Sequence, residues 1–272
     1  SSLLAEKPAA LYGQYTFGMD LINLPPSFVY PVTMSLIPFA AAAMARKDSA
    51  GANRIISSAF RLIAILAIPA GVGLSVLSKP ILMILYPAQK EAAMAAGPHL
   101  QVLGIACIFI CLMTLTNAIL QSYGHERIPI CTMIAGGVVK IVMNYVLVGN
   151  PDINIHGAPI STLCCYLVIS GLNLFFVWKY SPEKPRYLQL FTKPVIASVV
   201  MGGAAWAVYG LVLQALTGGE YAYGASALAT LLGIGAGVVV YFILVIALRI
   251  LRAEDMKGIP HGQTLVRLLH LR

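Results

Sequence analysis

Charge is what this sequence has least of. Only 10% of its residues are Asp, Glu, Lys or Arg, where soluble domains carry roughly 25%, and that excludes a globular fold with a water-facing surface. Acidic residues are the scarcer half, 10 against 18 basic ones, giving a formal net charge of +8. The excess does not make a nucleic-acid-binding protein, because the basic residues form no stripe. They gather instead at Arg46, Lys47, Arg54 and Arg61, at Arg127, at Lys179, Lys184, Arg186 and Lys193, and again from Arg249 to Arg272. Cysteines number five, and none has the Cys-x-x-Cys spacing of a zinc or redox site. Each lies in an apolar run and reads as a small buried hydrophobe. The five histidines are scattered, and there is no His-Glu-x-x-His, Gly-x-Ser-x-Gly or Gly-rich phosphate loop. Neither enzymatic chemistry nor a cofactor or metal is therefore expected. The chain opens on Ser1 with no signal-peptide pattern ahead of its first apolar run, and so reads as a piece of a longer protein.

What is present is apolar length. Hydrophobic residues make up 59% of the chain, with a mean hydropathy of +0.83. Roughly 20 apolar residues cross a bilayer as a helix. That criterion predicts an all-α integral membrane protein of about seven spans, near residues 11–48, 55–86, 100–123, 130–148, 160–178, 194–216 and 225–248. The basic clusters fall on alternate connections, the positive-inside pattern. It puts Arg46, Arg127, Lys184 and the C-terminus in the cytoplasm and the start of the chain outside. The stretch PAQKEAAMAAGPH reads as an outer loop, and SPEKPRYLQLFTK as a basic linker that subdivides the chain. The tail GQTLVRLLHLR reads as a short amphipathic helix on the inner membrane surface.

Polar residues inside the spans are the candidate functional set. The first span holds Pro25, Pro26, Pro31 and Pro38, and places Thr16, Asp20, Asn23, Ser27 and Tyr30 in one wedge of the helical wheel. A carboxylate facing acyl chains costs about 3 kcal/mol on insertion scales, so Asp20 faces protein, a wet cavity or the headgroups. Cys107, Thr114, Asn117 and Gln121 share a face of the third span, and Thr162, Tyr166, Ser170 and Asn173 a face of the fifth. Lys140 has apolar neighbours on both sides in the fourth span and lies roughly 12 Å from its outer end, beyond comfortable snorkelling reach. It needs a partner, either Asp20 or an anionic substrate group, and Asn144 is one turn further along its face. Four stripes dispersed over four helices suit a translocation cavity better than a nucleophile-and-base geometry. In the last two spans, Ser198-x-x-x-Gly202 and Gly233-x-x-x-Gly237 have the small-residue spacing that lets helices approach closely.

Four segments taken in order, LYGQYTFGMDLINLPPSFVYPVTMSLIPFAAAAMARKD, RLIAILAIPAGVGLSVLSKPILMILYP, TNAILQSYGHERIPI and KIVMNYVLVGNPDINIHGAPISTLCCY, carry a family resemblance. The chain resembles the C-terminal half of the stage V sporulation protein B and polysaccharide biosynthesis branch of the multidrug/oligosaccharidyl-lipid/polysaccharide exporter superfamily. MurJ-type lipid II flippases are close relatives of that branch. The resemblance implies spans eight to fourteen of a fourteen-span template. Residues 1–180 would form the C-terminal transporter lobe. Residues 181–272 would hold the basic linker, a final helix pair that in lipid II flippases forms a lipid-accessible groove, and a cytoplasmic tail. It further implies a flippase or exporter of an undecaprenyl-linked cell-wall or polysaccharide precursor, working by alternating access in the bacterial plasma membrane. Its partners would be that lipid-linked oligosaccharide, the membrane lipids and an N-terminal lobe, with no nucleic acid. The residues carried into the cavity are Asp20, Asn23, Asn117, Gln121, Lys140, Asn144 and Thr162.

Two departures from the family pattern stand out. Where lipid II flippases of Gram-negative bacteria carry an Arg before the Pro of this first helix, the present sequence has Asp20 in Asp-Leu-Ile-Asn-Leu-Pro. Where sodium sites of the family use Asn-x-x-x-Asp with a Thr on the next helix, it has Lys140-x-x-x-Asn144 with Thr162. The carboxylate is absent, so the resemblance does not carry a sodium site across. Two further readings are a cation-coupled exporter of organic cations, which an acidic cavity would favour, and a membrane-embedded sugar-lipid transferase, which needs acidic residues clustered at one membrane face.

Overall fold

A computed structural model describes residues 8–181, 183–217 and 223–250. Among them nine α-helices follow in order. They are α1 (Pro8–Ile22), α2 (Leu24–Ala45), α3 (Ser49–Val76), α4 (Ser78–Leu85), α5 (Lys90–Ser122), α6 (Arg127–Leu147), α7 (Gly157–Tyr180), α8 (Tyr187–Thr217) and α9 (Tyr223–Ala247). Seven stretches are long and apolar enough to span a membrane, with α1 and α2 together forming the first. The all-α membrane fold read from the sequence is the fold observed. The tail segment GQTLVRLLHLR lies outside the described residues.

Three boundaries differ from the sequence reading. The expected second span ends early, at Val76, and its last turns form the separate helix α4 after a break at Leu77. The stretch expected as an outer loop is helical from Lys90, so α5 runs 33 residues through Pro98. Its Ala-rich start, EAAMAA, is a strong helix former. The basic linker is likewise helical from Tyr187, carrying Pro194 inside α8.

Large apolar side chains face outward as well as inward, among them Phe28, Ile141, Leu188 and Phe242. Apolar residues cover such a surface when the surrounding solvent is lipid. Helix α5 forms the centre. Its Leu100, Leu103, Cys107, Leu115 and Ile119 pack with Phe60 and Ile63 of α3, with Ile22 and Val29 of the first span and with Val177 of α7. Helix α6 leans on α7, and α8 on α3, with α9 outside α8. A smaller core of Ala197, Met201, Tyr241 and Val245 joins these last two helices to one another. The α3–α5 crossing depends on two glycines. A Cβ on Gly104 would lie 2.7 Å from the Ser75 amide nitrogen and 2.8 Å from the Gly71 carbonyl. Of the two small-residue motifs, Gly202 abuts Val72 of α3, while Gly233 and Gly237 abut Ala205 of α8.

The prolines organise the bundle through the carbonyls they leave without a helical donor. Pro26 cannot serve Ile22, and the Ile22 carbonyl accepts instead from Cys107 Sγ of α5 at 3.4 Å. Pro69 cannot serve Ile65, and that carbonyl accepts from the Tyr241 hydroxyl of α9 at 2.8 Å. Both of these breaks in the helical ladder are thus tied to another helix.

Candidate functional site

The first span breaks at Asn23, one residue ahead of the Leu24–Pro25–Pro26 start of α2. The break is stabilised locally: Asn23 Nδ2 donates to the Met19 carbonyl at 2.9 Å, and Ser27 Oγ to the Asn23 carbonyl at 2.9 Å. The wedge read from the sequence points away from the bundle, with Asp20, Asn23, Ser27 and Tyr30 all exposed and Thr16 half-buried. A face this polar in a membrane span requires protein or water against it.

Lys140, Asn144 and Thr162 come together with a residue the sequence reading left out, Tyr15. Lys140 lies seven residues before the end of α6 at Leu147, about 10 Å along the axis, and is half-buried. It lines a cavity of about 540 Å³ together with Tyr15, Asn144, Tyr145 and Ala158. The Tyr15 hydroxyl is 3.1 Å from Thr162 Oγ1, which is fully buried, and so joins α1 to α7. Ser161 Oγ donates to Asn144 Oδ1, joining α7 to α6. Gly136, one turn before Lys140, sits against Ile169 and the Cys165 carbonyl and lets α7 close on α6. Asp20, suggested by the sequence as a partner for Lys140, forms no ion pair with it. Asp20 belongs to the exposed face of α1, whereas Lys140 turns into the α1–α6–α7 cavity.

Asn117 and Gln121 lie elsewhere. Asn117 Oδ1 accepts from Asn173 Nδ2 at 2.7 Å, inside a buried network in which Asn173 also contacts Thr116 at 3.2 Å and accepts from Thr132 at 2.7 Å. That network locks α5, α6 and α7 together. Gln121 is exposed near the end of α5. Beyond the kink, an apolar cavity of about 310 Å³ lies between Leu24 and Pro25 of the first span, Gly73 and Leu77 beside α3, and Met201 and Gly237 of the last pair. At the end of the bundle away from the basic loops, His99 Nε2 and His156 Nδ1 face each other at 2.7 Å. The two residues are 57 positions apart, and nothing in the sequence links them.

Seven apolar spans packed around a central helix, with a lysine of one span lining a cavity, define a polytopic helical membrane protein. Residues 14–252 match the lipid II flippase MurJ family, and the chain belongs to that family. It is 28% identical over 272 residues to the uncharacterized membrane protein YabM of Bacillus subtilis (strain 168), covering 98% of this chain and 48% of that protein. It is 22% identical over 260 residues to stage V sporulation protein B of the same organism, covering 94% and 47%. The chain therefore spans about half the length of the curated relatives it matches. In fold it is similar to a multidrug resistance MATE family transporter of the MOP superfamily solved in an inward-facing conformation. The TM-score there is 0.52 at 17% identity, covering 96% of this chain and 59% of that one.

Proposed function

We propose that this chain is the C-terminal lobe of a flippase that carries an undecaprenyl-linked cell-wall or polysaccharide precursor across the bacterial plasma membrane by alternating access. Residues 1–180 form the lobe proper, and residues 181–272 supply the linker, the last helix pair and a cytoplasmic tail. The headgroup enters a polar cavity shared with an N-terminal lobe, which covers the Asp20–Tyr30 face. The polyprenyl tail stays in lipid, against the apolar cavity between the first-span kink and the last two helices.

The observation that carries this reading is Lys140, a cation deep in a span and set in a cavity that Asn144, Tyr15 and Tyr145 also line. An ammonium there stabilises a diphosphate and repels an organic cation, which favours the lipid-linked substrate over a multidrug one. Membership of the MurJ family supports the same direction. The test is complementation of a flippase-deficient strain by the full-length protein. Growth supports the reading. Failure with normal expression and membrane insertion contradicts it, as does complementation by residues 1–272 alone, since alternating access needs two lobes moving about one site.

A further inference from the structure

At the end of the bundle that carries the basic loops, a third cavity opens, of about 860 Å³. It belongs to none of the intramembrane stripes. One wall is a face of α3 bearing Asn53, Ser57 and Arg61, four residues apart each time. The opposite wall is the 183–194 segment and the start of α8, with Lys184, Arg186 and Lys193, and Arg249 closes the rim after α9. Among the described residues, five cations thus surround one basin, against a single carboxylate, Glu183. That carboxylate is engaged, accepting from Asn53 Nδ2 at 2.7 Å.

The basin is built. Tyr123 donates to Ser181 at 3.1 Å, Ser181 to the Glu183 carbonyl at 2.6 Å, and Tyr187 to the Leu174 carbonyl at 2.9 Å, folding the linker back onto α5 and α7. Lys193 Nζ donates to the Leu248 carbonyl at 2.8 Å, holding the end of α9 to the rim. Lys184 Nζ rests 3.8 Å over the Trp178 ring.

We propose that this basin binds the phosphate of an anionic membrane lipid. The chemistry recognised is a phosphate oxyanion, met by guanidinium forks and ammonium groups. Depth and surroundings select a lipid rather than a soluble phosphate. The basin sits beside the first turns of α3, the end of α7 and the start of α8, and each Lys or Arg near a bilayer surface draws anionic lipid. Below it, α8 presents Leu188, Val195 and Val199 along one outward face, exposed by 84%, 42% and 60%. That stripe gives acyl chains a surface directly under the phosphate. The site is separate from the Lys140 cavity and stands whether or not the chain flips a lipid-linked oligosaccharide.

The chain has two tryptophans, Trp178 and Trp206, so W206F leaves Trp178, beside Lys184, as the sole reporter. The 272-residue W206F chain is reconstituted in bilayers mixing phosphatidylcholine and phosphatidylglycerol, with one or the other lipid brominated on its acyl chains. Brominated phosphatidylglycerol is expected to quench Trp178 with an apparent affinity about fivefold above that of brominated phosphatidylcholine. R61Q/R186Q should abolish the excess, R61K/R186K should keep most of it, and R46Q/R127Q, with the same charge change outside the basin, should leave it intact. Equal quenching by the two lipids overturns the proposal, as does an excess that survives R61Q/R186Q or is lost equally in R46Q/R127Q. Added inorganic phosphate at about 10 mM should leave the excess in place, the ions being far outnumbered at the surface by lipid phosphates. Loss of the excess under phosphate would assign the basin to a soluble anion and contradict a lipid occupant.

Discussion

The bond between Tyr241 and the α3 kink gives a prediction whose size follows from the geometry. Pro69 stands inside α3 and has no N–H, so the Ile65 carbonyl, four residues earlier, has no helical donor. The Tyr241 hydroxyl serves it at 2.8 Å, and Tyr241 is 7% exposed. Tyr241→Phe removes the donor and leaves the carbonyl in an apolar setting. Side-chain hydrogen bonds in membrane proteins average about 0.6 kcal/mol and reach about 1.7, while orphaning a buried acceptor costs about 1–3 kcal/mol. A loss of about 1–2 kcal/mol is expected. Pro69→Ala restores an amide at that position that can reach the Ile65 carbonyl, so in that background Tyr241→Phe should cost about 0.5 kcal/mol or less. The four proteins of this double-mutant cycle are compared by reversible unfolding in mixed detergent micelles. If Tyr241→Phe costs as much in the Pro69→Ala background as in the parent, the hydroxyl is not replacing the helical donor and the reasoning fails.

Three further outcomes follow from the packing and the charge pattern. Gly104→Val should destabilise by about 1–3 kcal/mol or more, since its Cβ meets backbone of α3 below 3 Å, whereas Gly137→Val, with nothing within 4 Å, should leave the thermal midpoint nearly unchanged. Asn173→Ala should cost about 1–2 kcal/mol and show coupling to Asn117→Ala in a cycle, and additive effects of the two would dissolve the proposed network. For orientation, single cysteines at Gln89 and Asn150 in a cysteine-free background should react with an impermeant thiol reagent on intact cells. Cysteines at Ser49 and Glu183 should react only after lysis, and labelling of Ser49 on intact cells would reverse the topology.

The spans were legible because hydrophobic length is a local property that the bilayer itself selects. Lys140 was legible for the same reason, as a charge with apolar neighbours for turns on either side. What answers each kink was not. Pro26 and Pro69 announce freed carbonyls, but the groups that serve them, Cys107 and Tyr241, come from helices 85 and 176 positions away. Cys107 reads in sequence as packing and in structure as packing plus a donor. Tyr15 stayed hidden because a tyrosine near the start of an apolar span resembles an interfacial anchor. The start of α5 was misread because Pro98 and the single Lys and Glu look like loop punctuation, although the intervening alanines hold the helix. In the basic linker, the positive-inside rule explained the charges so fully that their convergence with Arg61 on one basin left no mark in the sequence.

The central claim is that Lys140 holds the diphosphate of a lipid-linked substrate during translocation. The most direct measurement is the flipping rate of a lipid-linked oligosaccharide in vesicles reconstituted with the full-length transporter, parent against Lys140→Met. Lys140→Met is expected to abolish flipping, with Lys140→Gln equally inactive, while Lys140→Arg keeps part of the rate because its charge remains but its fork is bulkier. Flipping by Lys140→Met at the parent rate would make Lys140 a packing residue and contradict the account.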